Sequence, residues 1–166
     1  MLNKSPISRI RRNHGLEHAT IHVLTEAKPR RRLIGRSDYG GFWLLGEVDT
    51  EELTEAVLTA LARMRAGERN LAVHPNCGTN YVTYGAVAGI GAFSALAGAG
   101  PKQRDKLERL PLAILLATIG LIAAQPLAYR VQKRLTTSGD PGSLRIESVI
   151  RTEVGGRTAH RIKTRG

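Results

Sequence analysis

The sequence predicts a membrane α+β fold: a two-helix transmembrane hairpin inserted in a small cytoplasmic α+β layer. Three observations lead there. Residues 79–100 and 110–129 are apolar runs without charge, each about long enough to cross the roughly 30 Å hydrocarbon core of a bilayer as a helix. The segments on either side are polar, basic and patterned like short helices and strands. A single cysteine, Cys77, and the absence of an apolar run at the start suit a reducing compartment.

The chain divides accordingly into an N-terminal α+β segment (1–78), the membrane hairpin (79–129) and a basic tail with a β-hairpin (130–166). Residues 12–26 read as a short helix. RRLIGRSDY and GFWLLGEVD read as strands joined at Gly40-Gly41, a turn pair. Asp49 and Glu52 have the spacing of a capping box that opens a helix over 50–66. Leu53, Val57, Leu58 and Leu61 give that helix an apolar face, and Gly67 can stop it. NLAVHP, residues 70–75, reads as a short strand.

The first span is rich in Gly and Ala. Its Gly85-x-x-x-Gly89 pair, continued by Gly91 and Ala95, allows close helix approach in lipid, so Gly85 and Gly89 are expected to face the second span. Residues 101–109 form a tight polar turn. The second span is greasier and carries Pro126 near its end, where a break is tolerable. Residues 136–143 read as a linker. LRIESVIRTEV and RTAHRIKT alternate around Gly155-Gly156 and predict a final β-hairpin. Strands before and after the apolar insertion can join one sheet.

Two spans put both termini on one side. The short loop holds Lys102, Arg104, Lys106 and Arg109. The other side has Arg63, Arg65, Arg69, Arg130, Lys133, Arg134 and Arg145 near the spans, which favours termini in the cytoplasm. The whole chain carries 25 Lys+Arg against 14 Asp+Glu, a formal charge of +11. Such an excess points to an anionic partner. Membrane lipids with anionic headgroups are the expected one, with an unidentified protein or peptide partner beside them. Arg9, Arg11, Arg12 and Arg30 to Arg32 could form a nucleic-acid patch, but a charge run is more often a solvated or lipid-facing surface, and nucleic acid is not expected.

The chemistry concentrates in RRNHGLEHATIHVL, residues 11–24. On a helix, His14, His18 and His22 fall on one strip. Glu17 lies about 60° round from His14. H-x-x-E-H is the reversed zinc-peptidase pattern, in which two His bind zinc and the Glu handles a proton of water. A second cluster, AVHPNCGTNY, sets His74 and Cys77 three residues apart. Both suit zinc. The expected metal ligands are therefore His14, His18, His74 and Cys77, with zinc as the ion. Glu17 is the expected catalytic base, or else a partner that orients an imidazole; His22, one turn further along, is a fifth ligand candidate but is read rather as a residue that supports the ligands or packs. NHGLEHATI followed by HPNCGTN resembles bacterial membrane proteins of unknown function that pair an HGxEH with an HPxCGT motif, the YqhQ-like proteins. That resemblance implies an integral membrane protein with His14, Glu17, His18, His74 and Cys77 in a joint site; it transfers no activity.

Three functions fit these residues. One is a membrane zinc-dependent hydrolase or peptidase, with three His on the ion and one position open for water. Another is a non-enzymatic scaffold, with a closed His/Cys site that ties the N-terminal helix to the spans. The third makes Cys77 a nucleophile at a helix start, with His74 or His18 as base.

Overall fold

The computed structural model describes residues 5–166. The chain forms two compact units. The first joins the chain up to His74 with Lys133–Gly166, and the second is Pro75–Gln132.

In the first unit, α1 spans Pro6–Ala27. It begins earlier than the histidine periodicity suggests, because Ser5 and Pro6 make a helix start. The Ser5 hydroxyl accepts from the Ser8 amide at 3.1 Å, and proline suits the first turn, where its missing N–H costs nothing. Strands β1 (Ile34–Asp38) and β2 (Gly41–Leu45) pair antiparallel. The turn between them is Tyr39-Gly40 and not Gly40-Gly41. Gly41 already stands in the ladder opposite Asp38, with φ +141°, and a side chain there would run into the Ile162 carbonyl.

Helix α2 (Thr50–Arg65) starts at Asp49, whose carboxylate accepts from the amides of Glu51 (2.8 Å) and Glu52 (3.3 Å). The reciprocal half of the expected capping box gives way to ion pairing: Glu52 binds Arg31 at 2.7 Å and Lys28 at 3.4 Å. Leu53, Val57 and Leu61 are buried as expected. Leu58 is 53 % exposed, and Ala56, Ala60 and Met64 complete the face instead. The strand expected at 70–75 is a 3-10 turn, Arg69–Ala72, whose amides bond three residues back (Leu71 to Glu68, Val73 to Asn70) and so leave no strand ladder.

Strands β3 (Arg145–Val154) and β4 (Arg157–Arg165) meet at Gly155-Gly156, both at positive φ, as the sequence predicts. The sheet order is β1-β2-β4-β3, all antiparallel. Strands from before and after the apolar insertion thus share one sheet. Phe42, Leu44 and Ile162 join a core with Leu16 and Leu24 of α1 and Leu53 and Val57 of α2. The segment read as a linker is tucked in. Thr137 and Pro141 are buried, and the Ser138 amide donates to the Arg11 carbonyl at 2.9 Å. This requires Gly15, since a side chain there would collide with the Ser138 carbonyl and crowd Ala72.

The second unit holds α3 (Gly78–Ala97), a short α4 (Gln103–Glu108) inside the expected polar turn, and α5 (Leu110–Val131), which passes into a π turn at Gln132–Thr136. Helices α3 and α5 run antiparallel in close contact. A Cβ on Gly91 would lie 2.7 Å from the Leu116 carbonyl, and one on Gly120 3.1 Å from that of Val87. Gly85 and Gly89 have nothing within 4 Å of such a Cβ, so they do not face the second helix. The spacing marks a face that permits approach, but Gly89 lies about 200° round the helix from Gly91. Among the described residues, one helix is long and apolar enough to cross a membrane, Leu110–Thr136. The Gly, Ala, Thr and Asn content of α3 leaves it short of that mark.

Candidate metal centre

The 3.6-residue repeat divides α1 into two working faces. Asn13, Leu16, Glu17, Thr20 and Leu24 point toward the sheet and core. There the Asn13 amide group donates to the Asp38 carbonyl at 2.8 Å, and the Thr164 hydroxyl donates to the Asn13 Oδ1 at 2.7 Å. His14, His18 and His22 occupy the other face.

Each of these three rings is anchored by a backbone carbonyl. His14 Nδ1 donates to Thr136 at 3.0 Å, His18 Nδ1 to Ala72 at 2.9 Å, and His22 Nε2 to Val73 at 2.8 Å. A carbonyl only accepts, so the facing nitrogen must carry the proton, and in the neutral ring the opposite nitrogen keeps a lone pair. His14 and His18 therefore present Nε2, and His22 presents Nδ1. His14 and His18 offer ring nitrogens within 4.8 Å of one another, with ring centres 4.4 Å apart. His74 stands beside two of the three. Its ring centre is 5.8 Å from that of His18 and 5.0 Å from that of His22. Two imidazoles on one tetrahedral zinc would have ring centres about 5 Å apart.

His18 is buried, whereas His14, His22 and His74 are half-buried. The Thr136 carbonyl that anchors His14 lies in the π turn, where backbone acceptors are freed from the regular ladder. Arg11 serves the same segment, donating to the carbonyls of Arg134 (2.8 Å) and Thr137 (3.0 Å). Nothing in the residue spacing pointed to Arg11 or to these carbonyls.

Glu17 is buried, and its carboxylate accepts from the Ser37 hydroxyl on β1. Gly35 makes room for it, since a Cβ there would collide with the carboxylate. The adjacency of Glu17 to His18 in sequence thus becomes, on the helix, a carboxylate directed toward the sheet. Cys77 belongs to the second unit, where it is buried at the N-cap position of α3. The remaining histidine, His160, sits fully buried in β4, its Nε2 3.1 Å from the Thr50 hydroxyl. Burial pushes its pKa down, and Arg151 pushes the same way. It has no neighbour among the other four histidines in the ring contacts described.

The chain is 36 % identical to an uncharacterised protein of Picosynechococcus sp. strain PCC 7002, over 94 % of this chain and 79 % of that one. No solved structure matches it. The model of the DUF6391 family, a domain of unknown function, matches residues 9–149 and so takes in both histidine motifs, α3 and α5. The chain belongs to the DUF6391 family.

Proposed function

We propose that this chain is an integral membrane metal-binding protein, with zinc as the ion. The observation that carries the reading is the anchoring of His14 and His18 by carbonyls at Nδ1, which turns two Nε2 lone pairs outward one helical turn apart. Metal-ligating histidines are usually held in this way, and the anchor fixes both tautomer and ring direction. His74, beside His18, supplies a third imidazole. Cys77 follows His74 by three residues, a tether that reaches about 10 Å at most, and supplies the thiolate of a His3Cys set.

The exposed apolar side chains support a membrane setting. Ile114, Leu115, Ile119 and Ile122 of α5, and Val82, Ile90 and Phe93 of α3, all lie on the outside. Exposed apolar side chains of this kind suit lipid. In this reading both helices cross the bilayer, both termini are cytoplasmic, and the basic segments rest on anionic headgroups.

The site is better suited to hold a metal than to turn over a substrate. Glu17, the expected base, is engaged by Ser37 on the sheet side of α1. A closed site would staple α1 to the chain after the 3-10 turn and leave the basic surface for lipid or a protein partner. The H-x-x-E-H spacing favours a second reading, a zinc hydrolase or peptidase with Glu17 as general base.

Metal analysis of the detergent-purified chain tests both. The native protein should carry about one zinc. His18→Ala should lose most of it, and Glu17→Gln should keep it. Peptide hydrolysis by the native chain that disappears in Glu17→Gln would select the hydrolase. A native chain that neither carries zinc nor takes it up at neutral pH would end the metal reading.

A further inference from the structure

His22 has no part in the ligand set above, yet it is placed as one. We propose that His22 and His74 form a receiving station, where an arriving divalent cation of the zinc class binds before it passes to His14 and His18. This inference rests on the metal-binding reading and adds a route to it.

Three observations carry it. The ring centres of His22 and His74 are 5.0 Å apart, near the separation of two imidazoles that share one ion. The His22 anchor uses Nε2, so Nδ1 can ligate without breaking the bond to Val73. His18 is only 2 % exposed, while His14, His22 and His74 are half-buried; of the two ends of the strip, the His22 end leads to exposed Glu26 and Ala27, whereas Arg12, Asn13 and Gly15 beside His14 are buried. The innermost ring is therefore the one a hydrated ion reaches last.

His74 touches both sides of the array, 5.8 Å from His18 and 5.0 Å from His22, and is the ligand common to the two stations. The transfer is ligand exchange. Each imidazole nitrogen donates its lone pair as a water leaves the ion. No electron moves, and neutral imidazoles release no proton. Two dications a few ångströms apart repel strongly, so the stations fill in turn rather than together.

The test follows zinc uptake by the detergent-solubilised full chain from a fluorescent chelator, with stoichiometry and rate read separately. The native chain should bind one equivalent. His22→Ala and His22→Gln should also bind one equivalent, but load at least about tenfold more slowly. The glutamine keeps a donor for the Val73 carbonyl, so recovery of the native rate in His22→Gln would reduce His22 to an anchor and overturn the proposal. Unchanged rates in both variants would overturn it as well. Loss of stoichiometry in both variants would make His22 a resident ligand and also sink the relay. Failure of the native chain to take up zinc would instead remove the metal reading on which the relay stands.

Discussion

The two units distribute their apolar residues in opposite ways. In the sheet unit large side chains make up the interior: Phe42, Leu44, Leu53 and Ile162 are at most 1 % exposed. In the helical unit the buried apolar residues besides Cys77 are alanines, Ala95, Ala113, Ala124 and Ala128, and none of the bulky ones is buried, with Phe93 72 % exposed and Ile114 59 %. Water drives large apolar groups together, so a domain made for water hides them. Where the exterior is itself apolar that drive vanishes, and helices meet through small residues that let backbones approach. Under the membrane reading proposed above, one chain follows two packing rules, and the change between them comes at His74/Pro75 and Gln132/Lys133.

Substitutions can break this contrast. The largest effect is expected in the sheet unit. Phe42→Ala removes a fully buried ring and should cost about 3–5 kcal/mol in denaturant unfolding. Ile114→Ala in detergent should change stability by less than about 0.5 kcal/mol. Comparable losses at the two sites would show that α5 packs like a water-soluble core helix. An intermediate effect is expected at the glycines. Gly91→Ala sets a methyl 2.7 Å from the Leu116 carbonyl and should destabilise the helix pair by about 1–3 kcal/mol. Gly85→Ala meets nothing and should be neutral, or stabilising by up to about 1 kcal/mol from helix propensity. Thermal melting in detergent separates them, and the reverse order would move the helix contact to the Gly85 face.

The smallest effect sharpens the contrast through pH. His160 is buried in the sheet unit with its pKa pushed down, so the unfolded chain takes up a proton that the folded chain resists. Stability from this residue is complete above its ordinary pKa of about 6.5 and falls as the pH drops from there to the lowered value. His160→Gln should flatten that part of the pH profile for the sheet unit and leave α3 and α5 unaffected. A slope that survives the substitution would have to come from another group.

The pattern-based parts of the fold were legible in the sequence. Alternation around Gly155-Gly156 gave the last hairpin, and Asp49 gave the start of α2. What sequence missed were choices between competing partners. Glu52 could return to its own helix start or pair with Arg31, and charge won. Gly89 and Gly91 are both small, and only the position of α5 selects one. At the site, the helical strip of His14, His18 and His22 was visible as spacing. The direction of Glu17 was not, because it depends on Ser37 and on the space at Gly35, eighteen or more residues away. The carbonyls that orient the rings carry no residue-type signal at all.

The sheet order has a consequence in time. Strand β2 pairs with β4, so Gly41 lies opposite Lys163 although most of the chain comes between them. On a ribosome, β1, β2 and both helices of the first unit emerge early, and the central partner of β2 emerges only after α3 and α5. Throughout that interval Phe42 and Leu44 lack the β4 residues, Ile162 and His160, that stand opposite them. The segment with α3 and α5 is made in the meantime. The N-terminal half must therefore wait, with one flank of β2 open, and nascent-chain protection by a chaperone during that wait would matter more for this protein than for one whose neighbouring strands follow each other in sequence.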